Sequence, residues 1–308
     1  MHKRPMQILV VFALVLAAAL MPATAASASN PYLYKSTVPL ASVGNLLSAS
    51  FEATGTDELG NQITLDHAGN VGTVVVTMSS WACETGHWTT FNCQTTPGHT
   101  FTWPITFSIY NAATGTPPVV GSLIARSTKS FAMPYRPSAN NTYCTGTTNA
   151  GKWWDAALNK CFNGKASNIT FSFPGVSLPK NVVFGISYNT SDYGYSPIGR
   201  GTACSSTPQG CFYDSLNVGL TQDPTNVTAG SDPGPKGTLF VHSSHGYSYC
   251  DNGAAGTGTF RLDSPTSGCW SVGSPGTSPY YIPAVQLRER GCDQDESQSS
   301  DQDVDCQN

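Results

Sequence analysis

The feature that most narrows the fold is an apolar alternation with a period of two, repeated along the chain. Val74, Val76 and Met78 alternate with Thr73, Val75, Thr77 and Ser79, the pattern of a strand with one buried face. The same alternation sets Leu47, Ala49 and Phe51 against Ser48, Ser50 and Glu52, and Ile105, Phe107 and Ile109 against Thr106, Ser108 and Tyr110. It returns in Ile169, Phe171 and Phe173 and in Phe184, Ile186 and Tyr188, with later candidates at Leu216, Val218 and Leu220, at Leu239 and Val241, and at Val285 and Leu287. Each strand has one apolar face to cover, and two packed sheets cover both sets. Between the runs, 30 glycines and 21 prolines supply turns. Amphipathic helical stretches are nearly absent; the best, residues 153–160, has room for one or two turns. The prediction is an all-β chain: an antiparallel β-sandwich of jelly-roll type with long disulfide-stapled loops, one domain over residues 29–291. A two-domain division near residues 191–210 is the alternative. Against it, the closing run at Val285 reads as the partner that completes a sheet, and neither half alone covers its edges.

Lys3 and Arg4 precede an apolar run over residues 7–20, followed by small residues at Ala23-Thr24-Ala25 and Ala26-Ser27-Ala28. This is the layout of a secretory signal peptide over residues 1–28. The run is shorter than the roughly 20 residues a membrane-spanning helix needs. The expected product is therefore secreted and extracellular, with no membrane partner after cleavage.

Ten cysteines follow the leader: Cys83, Cys93, Cys144, Cys161, Cys204, Cys211, Cys250, Cys269, Cys292 and Cys306. An even count in an exported chain argues for disulfides. They fall as neighbouring couples 10, 17, 7, 19 and 14 positions apart, so nearest-neighbour pairing is the simplest expectation. Such bridges staple loops, and closing a loop of about 15 residues contributes about 3 kcal/mol through the unfolded state. None of the intervals is the short C-x2-C spacing of a zinc site, and no metal is expected.

Charge removes a further class of function. The body from residue 29 to residue 291 holds 13 bases and 13 acids, and six acids follow Cys292. A neutral body has no basic stripe for phosphates, so no nucleic-acid partner is expected. Residues 292–308 form an acidic, self-repelling tail that reads as disordered. Asp293, Asp295, Ser297, Ser299 and Asp301 follow the ligand offsets of a calcium loop, but Gln298 stands where glycine belongs and Val304 where glutamate belongs.

The order Val74-Val75-Val76-Thr77-Met78, Ile105-Thr106-Phe107-Ser108-Ile109-Tyr110-Asn111, Gly121-Ser122-Leu123-Ile124-Ala125, Val176-Ser177-Leu178-Pro179 and Val182-Val183-Phe184-Gly185-Ile186-Ser187-Tyr188 resembles secreted bacterial jelly-roll modules. The later stretches Tyr213-Asp214-Ser215-Leu216-Asn217-Val218 and Gly258-Thr259-Phe260-Arg261-Leu262-Asp263 are similar to hypothetical exported proteins of Gram-positive bacteria. These resemblances imply a fold and a compartment; neither carries over an activity or a site residue.

No catalytic or cofactor motif is present. There is no G-x-S-x-G elbow and no H-E-x-x-H helix, and no cofactor is expected. Of the histidines after the leader, His67, His87, His99, His242 and His245, only the last two are close in sequence, and without a third ligand they make no metal site. Glycoside hydrolysis needs two carboxylates across a cleft. Glu52 projects from the polar side of its run and Asp214 or Asp263 could face it, but the spacing selects no pair. Sequons occur at Asn140, Asn168, Asn189 and Asn226, as expected by chance in so Asn-, Ser- and Thr-rich a chain.

Aromatic residues in polar loops carry the functional expectation. Trp153 and Trp154 sit between Lys152 and Asp155, and Trp88, Tyr193 and Tyr195 lie in other polar loops. Adjacent tryptophans in an extended segment point to opposite sides, so one of them faces outward. A flat indole with amide and hydroxyl neighbours suits a sugar ring. The sequence therefore points to a non-catalytic secreted protein that binds extracellular or cell-wall carbohydrate through Trp153, Trp154, Tyr193 and Tyr195. The alternatives are a polysaccharide hydrolase and an inert matrix component.

Overall fold

The computed structural model describes residues 30–40, 46–113, 118–194 and 211–291; the expected leader and acidic tail lie outside these residues. One sheet sets β1 (Tyr32–Lys35), β15 (Val285–Glu289), β4 (Gly69–Ser80) and β9 (Lys165–Leu178) side by side. Beyond the end of β15, β4 is met by β11 (Leu216–Asp223), which also pairs with β2 (Ser48–Ser50) and β14 (Tyr280–Pro283). The second sheet runs β13 (Arg261–Leu262), β12 (Phe240–His242), β3 (Glu58–Thr64), β10 (Asn181–Ser187), β5 (Thr100–Ala113), β6 (Val119–Pro134). A separate hairpin joins β7 (Trp153–Asp155) to β8 (Lys160–Phe162). All these pairings are antiparallel.

Eight of these strands, β1, β3, β4, β5, β6, β9, β10 and β15, form the frame. Numbered one to eight in chain order, they lie first-eighth-third-sixth in one sheet and second-seventh-fourth-fifth in the other. This is the jelly-roll arrangement, as expected. The first strand lies beside the last, so the closing run does complete a sheet.

The alternating residues fill the space between the sheets. Val74, Val76, Ile105, Phe107, Ile109, Phe171 and Ile186 are fully buried. Phe107 on β5 stacks on Phe184 of the neighbouring β10 at 5.6 Å and meets Phe171 of the opposite sheet at 5.8 Å. Each such side chain contributes about 2 to 3 kcal/mol by leaving water.

Two local expectations differ from the structure. The run through Phe51 and Glu52 stops being a strand at Ser50, whose hydroxyl accepts Ala53 N–H and caps the one-turn helix α1 (Phe51–Thr54). Gly55, at φ 62°, ends the turn. Phe51 thereby enters the core and stacks on Tyr188 at 4.2 Å, while Glu52 stays near the surface. Residues 153–160 are not helical either: Trp153 and Trp154 pair with Phe162 and Cys161 across the β7–β8 hairpin, with Asn159 at φ 53° in its turn. Cross-strand pairing outweighs the weak local helix preference.

Strand β3 gives no alternation because both its faces are covered. Glu58 and Asn61 are buried there, satisfied by the Tyr110 hydroxyl and by Asp232. Gly185 makes room for Glu58, since a Cβ at Gly185 would sit 1.9 Å from Glu58 Oε1.

Successive frame strands alternate in direction, so their connections alternate between two ends. Residues 65–68 and 179–180 are tight links at one end. Residues 36–57, 81–99, 135–164 and 188–279 all belong to connections that start and finish at the other, the loop end. There the Ser138 hydroxyl takes Thr95 N–H and Ala139 N–H donates to Cys93 O, lacing two of the loops together.

Three disulfides join the expected neighbours: Cys83 with Cys93, Cys144 with Cys161 and Cys250 with Cys269, at Cα separations of 5.3, 5.7 and 5.5 Å. Cys211 is also disulfide-bonded; its expected partner Cys204, and the Cys292 and Cys306 couple, lie outside the described residues. Bridges of this kind fit an oxidising, extracellular setting. Among the described residues no helix is long and apolar enough to cross a membrane.

Candidate functional site

A cleft of about 220 Å³ opens at the loop end, lined by Glu52, Asp214, Trp81, His87, Trp88 and Asn217 among others. Four segments build it. Glu52 comes from α1, positioned because Phe51 beside it is anchored in the core. Trp81 follows β4 directly, its N–H bonded to Ser215 O at 2.8 Å. Trp88 lies within the loop closed by Cys83 and Cys93, edge-on to Trp81 with ring centroids 4.9 Å apart. Asp214 sits in a 3₁₀ turn, Phe212–Ser215, beyond the insertion that follows β10.

That insertion is tied down by the carboxylates. Ser191 donates its N–H to Asp214 Oδ1 at 2.7 Å and its hydroxyl to Oδ2 at 2.6 Å. Asp192 N–H donates to Glu52 Oε2 at 3.4 Å, and Gly194 N–H to Asp57 Oδ1 at 2.7 Å. The other oxygen of Asp57 meets His242 Nδ1 at 2.9 Å. Beside Glu52 the rim continues in Tyr193, whose hydroxyl is 3.0 Å from that of exposed Tyr247, with His245 packed against both rings.

The cleft is electrostatically unusual for a neutral body. Burial, with the negative charge of Asp214 adding to it, pushes the Glu52 carboxyl up to about 7. Burial also raises Asp214 and lowers the His87 imidazole. Asn217, only 6% exposed, lines the same cleft. Its Nδ2 donates to Ser48 Oγ at 3.0 Å, while its Oδ1 has no partner among the described residues. A buried carbonyl left unpaired costs free energy comparable to a lost hydrogen bond.

The residues singled out for stacking do not gather in one place. Trp153 is buried (7% exposed), its Nε1–H donating to Gly164 O at 3.0 Å and its ring packed near Phe162. Trp154 points the other way, half-buried, stacked on exposed Tyr143 at 5.0 Å. Tyr193 belongs to the rim beside Glu52, and Tyr195 lies outside the described residues. Of the carboxylates considered for catalysis, Glu52 and Asp214 share the cleft. Asp263 does not; it is fully buried elsewhere, accepting Trp270 Nε1–H at 2.5 Å. Asn189, a sequon residue, is buried as well. Trp81 and Asn217 carried no signal in the sequence, because both follow strand patterns that read as ordinary packing.

Two further depressions lie on the loop end. One of about 630 Å³ is lined by Trp153, Asp155, Gly164, Lys165 and Asn168, and one of about 480 Å³ by His99, Tyr135 and Ser138; Pro134 and Lys165 border both. The first adjoins the carboxylate cleft through Gly164, where a Cβ would lie 2.6 Å from Trp81 Nε1. Among the described residues one group of possible metal ligands converges, Cys250, Asp263 and Cys269, but its two sulfurs are joined in a disulfide and offer no thiolate.

No protein-family model, curated protein or solved structure matches this chain.

Proposed function

We propose that this protein is secreted and binds a polysaccharide chain of the extracellular matrix or cell wall across its loop end. The observation that carries the reading is the set of three adjoining depressions with aromatic residues in their linings, Trp81 lying between the carboxylate cleft and the largest of them and Lys165 bordering the other two. A glycan chain presents successive rings, each with an apolar face and a polar rim, to such adjoining depressions. The neutral body supplies no long-range steering, so stacking and neutral hydrogen bonds supply the affinity. Glu52 and Asp214 in the cleft disfavour uronic-acid or sulfated chains and leave neutral and amino-sugar polymers as the favoured class.

The test is retention on a panel of insoluble or immobilised polysaccharides: glucans, xylan, chitin, peptidoglycan and a polyuronate. Neutral or amino-sugar polymers should retain the protein, and Trp88→Ala should weaken retention about tenfold or more, since anchor residues carry 1 to 2 kcal/mol or above. No retention by any polymer would overturn the reading.

A further inference from the structure

The two larger depressions share one charged side chain. Lys165 opens β9, where it pairs with Ser80 of β4, and it borders both the depression of about 630 Å³ and that of about 480 Å³. Its Nζ lies 5.2 Å from the centroid of the Trp153 ring. That ring is itself held, buried near Phe162 with its Nε1–H on Gly164 O, so the ammonium has a defined place. A ring face attracts the charge but leaves the three N–H donors to other acceptors. Among the described residues the Lys165 ammonium meets no carboxylate and no hydrogen-bond acceptor. The other groups in the two linings that could answer it are engaged elsewhere. Asp155 Oδ1 accepts the N–H groups of Ala157 and Leu158 at 3.0 and 3.1 Å, and His99 Nδ1 meets Glu84 Oε1 at 2.6 Å.

We propose that Lys165 reads an isolated carboxylate on the bound chain, and that the ligand is an amino-sugar polymer whose alternate rings carry an acidic branch, the chemistry of peptidoglycan. This rests on the polysaccharide-binding reading and selects one member of its favoured class. An ammonium with unused donors takes a singly charged acceptor as a point charge. Among the described residues no Arg and no second Lys lines either depression, so one anionic group is balanced there and not a run of them. In the adjoining cleft Glu52 and Asp214 repel an acid on any ring seated between them. A chain acidic at every ring presents a carboxylate in both places. A chain acidic at alternate rings sets an uncharged ring in the cleft and its carboxylate at Lys165. A chain without acid, such as chitin or a glucan, leaves the Lys165 donors unused.

Two substitutions separate recognition of a charge from plain packing. Lys165→Met keeps an unbranched stem beside Trp153 and removes the charge with its donors, whereas Lys165→Arg keeps a cation there. Lys165 is half-buried, so its contact with a carboxylate should also weaken as salt is added, while stacking on neutral rings should not.

The experiment measures retention of the full secreted chain on intact peptidoglycan, on peptidoglycan strands stripped of their peptides but keeping the lactyl carboxylate, on chitin and on a polyuronate. The expected result is binding to peptidoglycan about tenfold tighter than to chitin, with the gap closed in Lys165→Met, kept in Lys165→Arg and narrowed by salt. Thermal melts of both variants should match the wild type. Stripped strands that bind as intact ones do assign the contact to the lactyl carboxylate; a Lys165-dependent preference lost on stripping assigns it to the peptide. Equal retention on chitin and peptidoglycan, a preference that survives in Lys165→Met, or tightest binding to the polyuronate would overturn this inference and leave the polysaccharide-binding reading standing. Absence of retention on every polymer would overturn that reading as well.

Discussion

Asp192 donates its backbone N–H to Glu52 Oε2 at 3.4 Å, across 140 positions of sequence. That contact ties the insertion after β10 to the single helical turn before β3, and the recess between them contains the carboxylates. Because Glu52 stands next to core-anchored Phe51, the position of the carboxyl depends on packing more than on its own exposed contacts.

Stability should fall as the solution goes from mildly acidic to neutral. Burial raises the Asp263 carboxyl from 3.8 to about 7 and that of Asp232 from 3.8 to about 6. The unfolded chain gives up these protons near pH 4, while the folded chain keeps them until pH 6 to 7. The folded state thus binds more protons across that window and loses stability as pH rises through it, by about 3 to 4 kcal/mol for Asp263 alone. Chemical denaturation at pH 4.5 and 7.5 measures the difference, and Asp263→Asn should make the slope shallower while the part due to Asp232 and Glu52 remains. A wild type whose stability is constant or rises over this range would contradict the assignment.

Replacing the two adjacent tryptophans should give unequal results. Trp153 is buried against Phe162 with its N–H satisfied, so Trp153→Ala should cost about 3 to 5 kcal/mol. Trp154 is half-buried on Tyr143, so Trp154→Ala should cost about 1 kcal/mol. Thermal melts of both variants check this. Equal losses would mean that the hairpin does not hold its two faces apart as described.

Non-reducing peptide mapping should recover Cys83 with Cys93, Cys144 with Cys161 and Cys250 with Cys269. Removing the second of these as Cys144→Ser/Cys161→Ser should cost about 3 kcal/mol and loosen the β7–β8 hairpin while leaving the jelly-roll frame intact. Proteolysis should then cut within residues 141–160 before the sheets. Early cleavage inside β5 or β9 would show that the bridge supports the frame itself.

The period-two runs determined the all-β class and the residues packed between the sheets, such as Val76, Phe107, Phe171 and Ile186, since side chains on successive strand positions point to opposite faces whatever the strand pairs with, whereas Leu47, just before β2, is exposed. Short cysteine intervals likewise foretold the three bridges seen, as each closes a local loop. Where both faces are covered, as in β3 with Glu58 and Asn61, that local signal disappears and only the neighbours reveal a strand. Which of Trp153 and Trp154 turns inward was equally undetermined, because alternation fixes that they diverge and not which side meets the core. The cleft belongs wholly to tertiary structure: Glu52, Trp81, Trp88 and Asp214 come from four segments separated by as many as 162 positions. They meet because jelly-roll connectivity returns the long connections to one end of the sandwich.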